Sequence, residues 1–238
     1  MAKHIVTAFD NDLRRIQKDV IKMGKAVAQM WVDCIVAVST ASEAQAEKVV
    51  NFDKKIDSME INIYDEGFQL LALRAPIAQD LRIALSALRV GTNLERAADH
   101  AKAIARRALL IKPEQHRTTV SLLNQMNTIA LSNLHNVLEA YKDNDVEAAE
   151  IIRNNDANLD ELFNAVLLEI VQAMTAKNPL EEAQALAHLM FVAKGIERMG
   201  DIVTNIAEII IFQETARLPT DERTKSSSDT LFQSKSEE

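Results

Sequence analysis

Apolar residues recur along this chain at steps of three and four positions. Residues 6–39 show the pattern most clearly, because one apolar stripe runs through them without interruption. Such steps place side chains on one face of an α-helix, so this segment is predicted to form a long amphipathic helix with one buried side. The stripe consists of Leu13, Ile16, Val20, Met23, Val27, Met30 and Cys34.

Caps and prolines divide the rest of the chain into five more helical segments. Ser42 with Gln45, and Asn144 with Glu147, have the spacing of capping boxes, in which side chains satisfy free amides at a helix start. Proline is favoured in the first turn of a helix, so the prolines at 76, 113 and 179 predict three further helix starts. The predicted segments are residues 42–72, 76–110, 113–141, 144–176 and 178–215.

The predicted helices are about 30 residues long, well above the ~11–12 residues typical of globular proteins, and such lengths suit helical bundles. The composition agrees with this, since 5 Gly, 4 Pro and 4% aromatic residues in a chain of 238 are few for a sheet protein. The fold is therefore predicted to be all-α. Residues 218–238 are polar and Ser-rich, and we expect them to be disordered.

The two halves of the chain share a spaced motif. The run Glu-Arg-x-x-Asp at residues 95–99 recurs at residues 197–201, and apolar residues around it match at the same offset. Repetition of this kind indicates duplication of one structural unit. We therefore predict two tandem three-helix bundles, at residues 1–111 and 112–217, followed by the polar tail.

Pairs of carboxylates four residues apart stand at equivalent places in the two halves. Residues four apart lie on the same face of a helix, so each pair brings two negative charges together, which a metal ion or arginines can balance. If the second and third helices of a unit are neighbours, four carboxylates meet, and such oxygen ligands suit Mg, Mn, Ca or Fe. The pairs are Asp53/Asp57, Glu95/Asp99, Asp156/Asp160 and Glu197/Asp201.

The same carboxylates have a second explanation, which the residue pattern leaves open. They can form ion pairs inside the bundles or simply lie on the solvated surface, without any metal. The arginines placed to pair with them are Arg82, Arg89, Arg96 and Arg198.

The net charge and the cysteine content limit the possible partners and the cellular compartment. A net charge of −8 argues against nucleic acid as a direct partner, because phosphate binding needs a basic face. The single cysteine, Cys34, fits a reducing compartment. No signal peptide and no apolar run of ~18 residues are evident, so we expect a cytoplasmic protein without membrane insertion.

Two runs of the sequence resemble the PhoU family. The first is LRAPIAQDLR at residues 73–82, continuing to LERAADH at residues 94–100, and the second is IERMGD at residues 196–201 with Asn205 after it. The resemblance covers about residues 8–215. The family-motif residues outside the carboxylate pairs are Arg74, Pro76, Asp80, Arg82, Arg96 and Arg198.

The resemblance implies two three-helix bundles, a cytoplasmic location and a tendency to form homodimers. It also implies a role in phosphate signalling as a negative regulator. PhoU-like proteins link the phosphate ABC transporter to a sensor histidine kinase, and they keep the phosphate-starvation response off when phosphate is plentiful. The resemblance thus implies an adaptor protein and not an enzyme.

Family members also bind divalent or trivalent metal ions, such as Mg, Mn, Fe or Zn, through their carboxylate motifs. The resemblance maps these motifs onto Glu95 and Asp99, and onto Glu197, Asp201 and Asn205. The first repeat departs from the family pattern, because Ala103 stands where the second repeat has Asn205. We therefore expect the first repeat to bind a metal ion no more tightly than the second.

Two other functions compete with the adaptor. A carboxylate-bridged, metal-dependent enzyme would use the same acidic residues, but the chain has no Glu-x-x-His pair, Gly-rich loop or nucleophile elbow. A purely structural helical scaffold would need neither a metal ion nor a phosphate-linked phenotype. Loss of the gene, followed by measurement of the phosphate-starvation response, separates these possibilities.

Overall fold

The computed structural model describes residues 2–154, 157–175, 179–217 and Pro219. All regular elements within these ranges are helices, as the sequence predicted. They are α1 (Ala2–Thr40), α2 (Glu43–Arg74), α3 (Ala78–Ala105), α4 (Arg117–Asp143), α5 (Val146–Asn154), α6 (Ala157–Met174) and α7 (Pro179–Thr215), with a 3-10 helix at Ala108–Leu110.

The first three helices pack against one another as a bundle. The apolar stripe of α1 is confirmed, since its residues from Ile16 to Cys34 are almost fully buried and Leu13 packs partly buried against them. Trp31 is also fully buried, and its indole Nε1 donates a hydrogen bond to the Ala97 carbonyl oxygen of α3 at 3.0 Å. This bond satisfies the polar atom of a large core side chain, as a buried indole requires.

The second bundle consists of α4, α7 and the segment between them. The single helix predicted over residues 144–176 is described as α5 and α6, and residues 155–156 between them lie outside the described residues. Both α5 and α6 pack against α7, which lies centrally among the helices of this half. The predicted boundaries at 111 and 217 stay predictions, and the predicted tail lies outside the described residues except for Pro219.

The two bundles share one hydrophobic core, because α3 packs along α7 and α1 packs against α4. Helices α3 and α7 run antiparallel, since Arg82 near the start of α3 bonds to Gln213 near the end of α7, while Ile104 near the end of α3 lies against Gly195. Small residues allow the close approach at both contacts. A Cβ atom on Gly195 would lie 2.9 Å from Ile104 Cδ1, and one on Gly24 would lie 2.5 Å from Leu138 Cδ2.

Two of the predicted helix starts are wrong. Helix α2 ends at Arg74 and is followed by Ala75, a left-handed residue with φ 43°, so Pro76 falls in the turn, and α3 begins only at Ala78. Pro113 likewise lies in a turn, where its carbonyl oxygen accepts from the His116 amide at 3.3 Å, and α4 begins after it at Arg117. The third helix also ends earlier than predicted, at Ala105 instead of residue 110.

One of the two predicted helix caps is confirmed, and the other is wrong. Ser42 caps α2 as predicted, because its hydroxyl accepts from the Gln45 amide at 3.4 Å. Asn144 does not cap α5 but ends α4 in the left-handed conformation, with φ 54°, which asparagine tolerates. The side chain that caps α5 is Asp145, whose Oδ1 accepts from the Ala148 amide at 3.0 Å.

Candidate carboxylate sites of the two repeats

The packing of α2 against α3 brings together five carboxylates, which we call the first-repeat cluster. Asp53, Asp57 and Glu60 come from α2, while Glu95 and Asp99 come from α3. Asp53 is only 3% exposed, and each of the other four lies close enough to interact electrostatically within the cluster. The charges of Asp53, Asp57 and Asp99, together with that of Glu60, therefore all act on Glu95.

A lysine that the sequence analysis did not single out lies inside this cluster. Lys102 Nζ donates to Asp53 Oδ2 on α2 and to Asp99 Oδ1 on its own helix, the second at 3.2 Å. The bond to Asp53 is the main reason why the pKa of Lys102 is raised, against the opposing effect of burial. The Asp99-x-x-Lys102 spacing was the available signal, because residues three apart meet on a helix face.

The surroundings of Glu95 disfavour its charged form, whereas those of Lys102 favour its charged form. Burial raises the pKa of Glu95 to about 7, and the neighbouring charges of Asp99, Glu60, Asp57 and Asp53 add to this effect. Each cause disfavours the charged form of a carboxyl group. Glu95 is therefore balanced between its protonated and ionised forms near neutral pH.

The first-repeat cluster does not fit a metal ion as its side chains stand. The Lys102 ammonium binds the carboxylates of both Asp53 and Asp99, and Ala103 supplies no oxygen at the position where the family motif continues. Across the part of the chain that the structure describes, no three His, Cys, Asp or Glu side chains are grouped so that they could hold a metal ion.

The second repeat carries the matching residues on α6 and α7. Asp160 lies on α6, which packs against α7, and Glu197, Asp201 and Asn205 lie on α7 itself. The three α7 residues are four apart, so they share one face of the helix. Asp156, the remaining predicted ligand, lies outside the described residues.

Cations on α7 contact two of these carboxylates. Lys194 Nζ lies 2.7 Å from Glu197 Oε2, at an angle that makes the contact an ion pair without a directed hydrogen bond. Arg198 donates to Asp201 Oδ2 at 3.3 Å, so one of the arginines named in the ion-pair alternative does pair with a motif carboxylate. Both cationic side chains are about half exposed, at 44% and 53%.

The motifs of the two repeats meet at His100, where α3 crosses α7. Burial lowers the pKa of His100, and the charges of Arg96 and Arg198 lower it further, while Asp99 and Asp201 oppose them. One motif arginine and one motif aspartate from each repeat thus act on the same imidazole. A neutral imidazole is favoured at this crossing.

The remaining motif residues organise the turn between α2 and α3. Arg82 Nε donates to the Gln213 carbonyl oxygen at 2.8 Å, which ties the start of α3 to the end of α7. Arg74 pairs with Asp12 at 3.4 Å, and Asp80 lies in the first turn of α3, where the helix dipole favours a negative charge. The family-motif residues of this run therefore hold two helix ends and do not join the carboxylate cluster.

Comparison with known proteins identifies the duplication seen in the fold. The model of the PhoU domain matches the chain twice, at residues 20–108 and at residues 123–210. The chain belongs to the PhoU family. Each matched region carries one set of motif carboxylates, so the resemblance seen in the two sequence runs is confirmed along with the tandem repeats.

Relatives match almost the whole chain. A phosphate-specific transport system accessory protein PhoU homologue from Caulobacter vibrioides is 35% identical over 226 residues, which is 94% of this chain and 97% of the relative. The crystal structure of PhoU from Pseudomonas aeruginosa superposes with a TM-score of 0.81 at 26% identity, covering 88% of this chain and 100% of that one. The phosphate transport system regulatory protein PhoU from Streptococcus pneumoniae gives 0.81 at 27% identity, covering 89% and 99%.

Proposed function

We propose that this protein is an accessory regulator of phosphate transport. In this role it binds the phosphate ABC transporter and a sensor histidine kinase in the cytoplasm, and it keeps the phosphate-starvation response off when phosphate is plentiful. Its activity is binding to these partners, and it acts as a homodimer. The observation that carries the proposal is the pair of PhoU domains, together with full-length similarity to accessory proteins of phosphate-specific transport systems.

The α2–α3 turn has the properties of a partner contact. Leu73 and Ile77 are 70% and 78% exposed, an unusual solvent exposure for large apolar side chains on either side of one turn. The turn holds left-handed backbone at Ala75 and Ala78, with φ of 43° and 51°, which costs about 1 kcal/mol or more at each alanine. A strained turn that presents apolar groups is suited to docking on the transporter.

We further propose that the second repeat binds a divalent or trivalent metal ion. Its proposed oxygen donors are Asp156, Asp160, Glu197, Asp201 and Asn205, for an ion such as Mg, Mn, Fe or Zn. Among the described residues these side chains are not grouped as a metal site, so the ion would have to draw them together. The contacting cations, Lys194 and Arg198, are about half exposed, so they can turn into solvent when an ion binds. Such an ion would neutralise the carboxylates of the second repeat and stiffen the contact between α6 and α7.

Deletion of the gene tests the regulatory role. A reporter of the phosphate-starvation response should become active in phosphate-rich medium, and expression of the wild-type chain should silence it again. No comparable activation is expected from deletion of an unrelated helical protein. A reporter that stays off in the deletion strain contradicts the proposal.

Pull-down from cell membranes tests the binding activity and the turn. The wild-type protein should recover the transporter, the kinase or both, and Leu73→Ser combined with Ile77→Ser should lose the transporter. Leu168→Ser on α6, where the side chain is 60% exposed, is the matched control and should bind as the wild type does. Recovery of neither partner, together with turnover of a small molecule by the purified protein, would favour the enzyme.

A further inference from the structure

The two repeats differ in charge at one pair of matching positions just after the motif carboxylates. Lys102 on α3 corresponds to Thr204 on α7, because Glu95 and Asp99 align with Glu197 and Asp201 at the same offset. The Thr204 side chain is 2% exposed, and its hydroxyl donates back to the Gly200 carbonyl oxygen of its own helix at 3.1 Å. This position therefore supplies a cation in the first repeat only.

The Lys102 ammonium is bound within the cluster, between a buried and an exposed carboxylate. Its side chain is 24% exposed, and it binds Asp53, whose side chain is 4% exposed, and Asp99, whose side chain is 56% exposed. Asp53 is on α2, so the lysine joins the two helices that carry the cluster. Turning Lys102 away would leave a buried carboxylate without its partner, which is strongly unfavourable.

We propose that Lys102 is the resident counter-ion of the first-repeat cluster and that it takes the place of a metal ion there. The ammonium occupies the space between carboxylates of α2 and α3 where a bound ion would have to lie. Its positive charge also repels an approaching cation over a few ångströms in a partly buried environment. The first repeat thus gains its α2–α3 link from its own sequence and independently of the metal supply.

Exchange of two adjacent residues between the repeats tests this proposal in the full-length protein. Lys102→Thr combined with Ala103→Asn gives the first repeat the residues of the second. The probe is Mn²⁺, and free Mn²⁺ is measured by electron paramagnetic resonance. First-repeat binding is defined as the part of the bound Mn²⁺ that disappears when Asp99→Ala is added. We measure it in an Asp201→Ala background to reduce binding at the second repeat.

With Lys102 present, no Asp99-dependent Mn²⁺ binding is expected. The exchanged variant should gain such binding, with an affinity at least about tenfold higher than that of its parent. Lys102→Arg keeps the positive charge and should keep the ion out. Lys142→Gln is the matched surface control and should change nothing, since Lys142 is 52% exposed and pairs with Glu139 at the same spacing.

Two results would overturn the proposal. Asp99-dependent binding of Mn²⁺ in the protein with Lys102 intact would show that the lysine does not exclude the ion. Absence of such binding in the exchanged variant, with the helical dichroism unchanged, would show that the lysine is not what excludes it. Lys102→Gln preserves most of the side-chain stem, and it replaces the exchanged variant in both comparisons if that variant does not fold.

Discussion

The first repeat places Lys102 between Asp53 and Asp99, whereas the second repeat has a buried Thr204 at the matching position and Asn205 beside it. Both repeats carry acidic residues on two helices that pack against each other, Asp53 and Glu95 in the first and Asp160 and Glu197 in the second. They differ in where the compensating positive charge comes from and in how exposed it is. The partly buried lysine of the first repeat is fixed, while the cations contacting the second repeat are about half exposed.

This difference shows how a duplicated scaffold can diverge without a change of fold. Under the two proposals made above, Lys102 bridges two helices in the first repeat, and a metal ion from solution takes the corresponding role in the second. The residues that follow the motif carboxylates carry this difference, because in both repeats an acidic residue already lies on a helix that packs against the motif helix. The two sites would then respond differently to the supply of metal ions.

The largest expected difference between the repeats is in metal content. Asp201→Ala should remove most of the Mn²⁺ or Fe bound by the purified protein, because Asp201 is central among three α7 donors on one helix face. Asp99→Ala should remove little or none, since Asp99 already binds Lys102. Elemental analysis of the wild type and both variants measures this. Equal losses would contradict the asymmetry, and wild-type protein that takes up no metal after reconstitution would favour the ion-pair alternative.

Replacement of Lys102 in the first repeat should lower the free energy of unfolding more than replacement of Lys194 in the second. Lys102→Met leaves the buried Asp53 carboxylate unpaired, and we expect a loss of about 2–3 kcal/mol, or roughly 5–10 °C in the unfolding midpoint. Lys194→Met removes a more exposed ion pair to Glu197 and should cost less than about 1 kcal/mol. Thermal unfolding followed by dichroism at neutral pH compares them.

A second substitution sharpens this comparison. Adding Asp53→Asn to Lys102→Met removes the unpaired charge, so most of the lost stability should return. A loss that persists in the double variant would mean that Lys102 acts through packing of its stem and not through its charge. Equal losses for the two lysine variants would remove the proposed distinction between the repeats.

The smallest expected effect is a pH dependence that belongs to the first repeat. The pKa of Glu95 is raised from 4.5 to about 7, so folding takes up a proton between these values. Stability from this group is therefore present at low pH and is lost as the pH rises toward 7. Glu95→Gln should raise the unfolding midpoint by about 2 °C at pH 8, and the gain should shrink toward pH 5.

Glu197, which matches Glu95 in the second repeat, supplies the control for this pH dependence. Glu197 has the Lys194 ammonium 2.7 Å from its Oε2, so Glu197→Gln removes an ion pair and should bring no gain at pH 8. Thermal unfolding of both variants from pH 5 to pH 8 gives the two profiles. A lower midpoint for Glu95→Gln at pH 8 would show that the charged form of Glu95 is stabilised in the fold.

The sequence by itself determined the fold class, the repeats and the buried face of α1. Each of these depends on local periodicity, because a stripe of apolar residues at helical spacing has few ways to be buried. The two PhoU-like runs were also recognisable from the sequence, since the residues of each run are close together in the chain. The ends of the helices were less predictable. Asn144 and Asp145 are both good capping residues, and only the backbone conformation around them separates a helix end from a helix start.

Only the tertiary structure decided how the carboxylates are neutralised. Lys102 and Asp53 are 49 positions apart, and their bond depends on the rotation and offset of α2 against α3. Such details are set by packing of the bundle core and not by the spacing of charged residues along either helix. The sequence therefore pointed to acidic residues of α2 and α3 whose charges act on Glu95, but the lysine among them became evident only once the helices were packed.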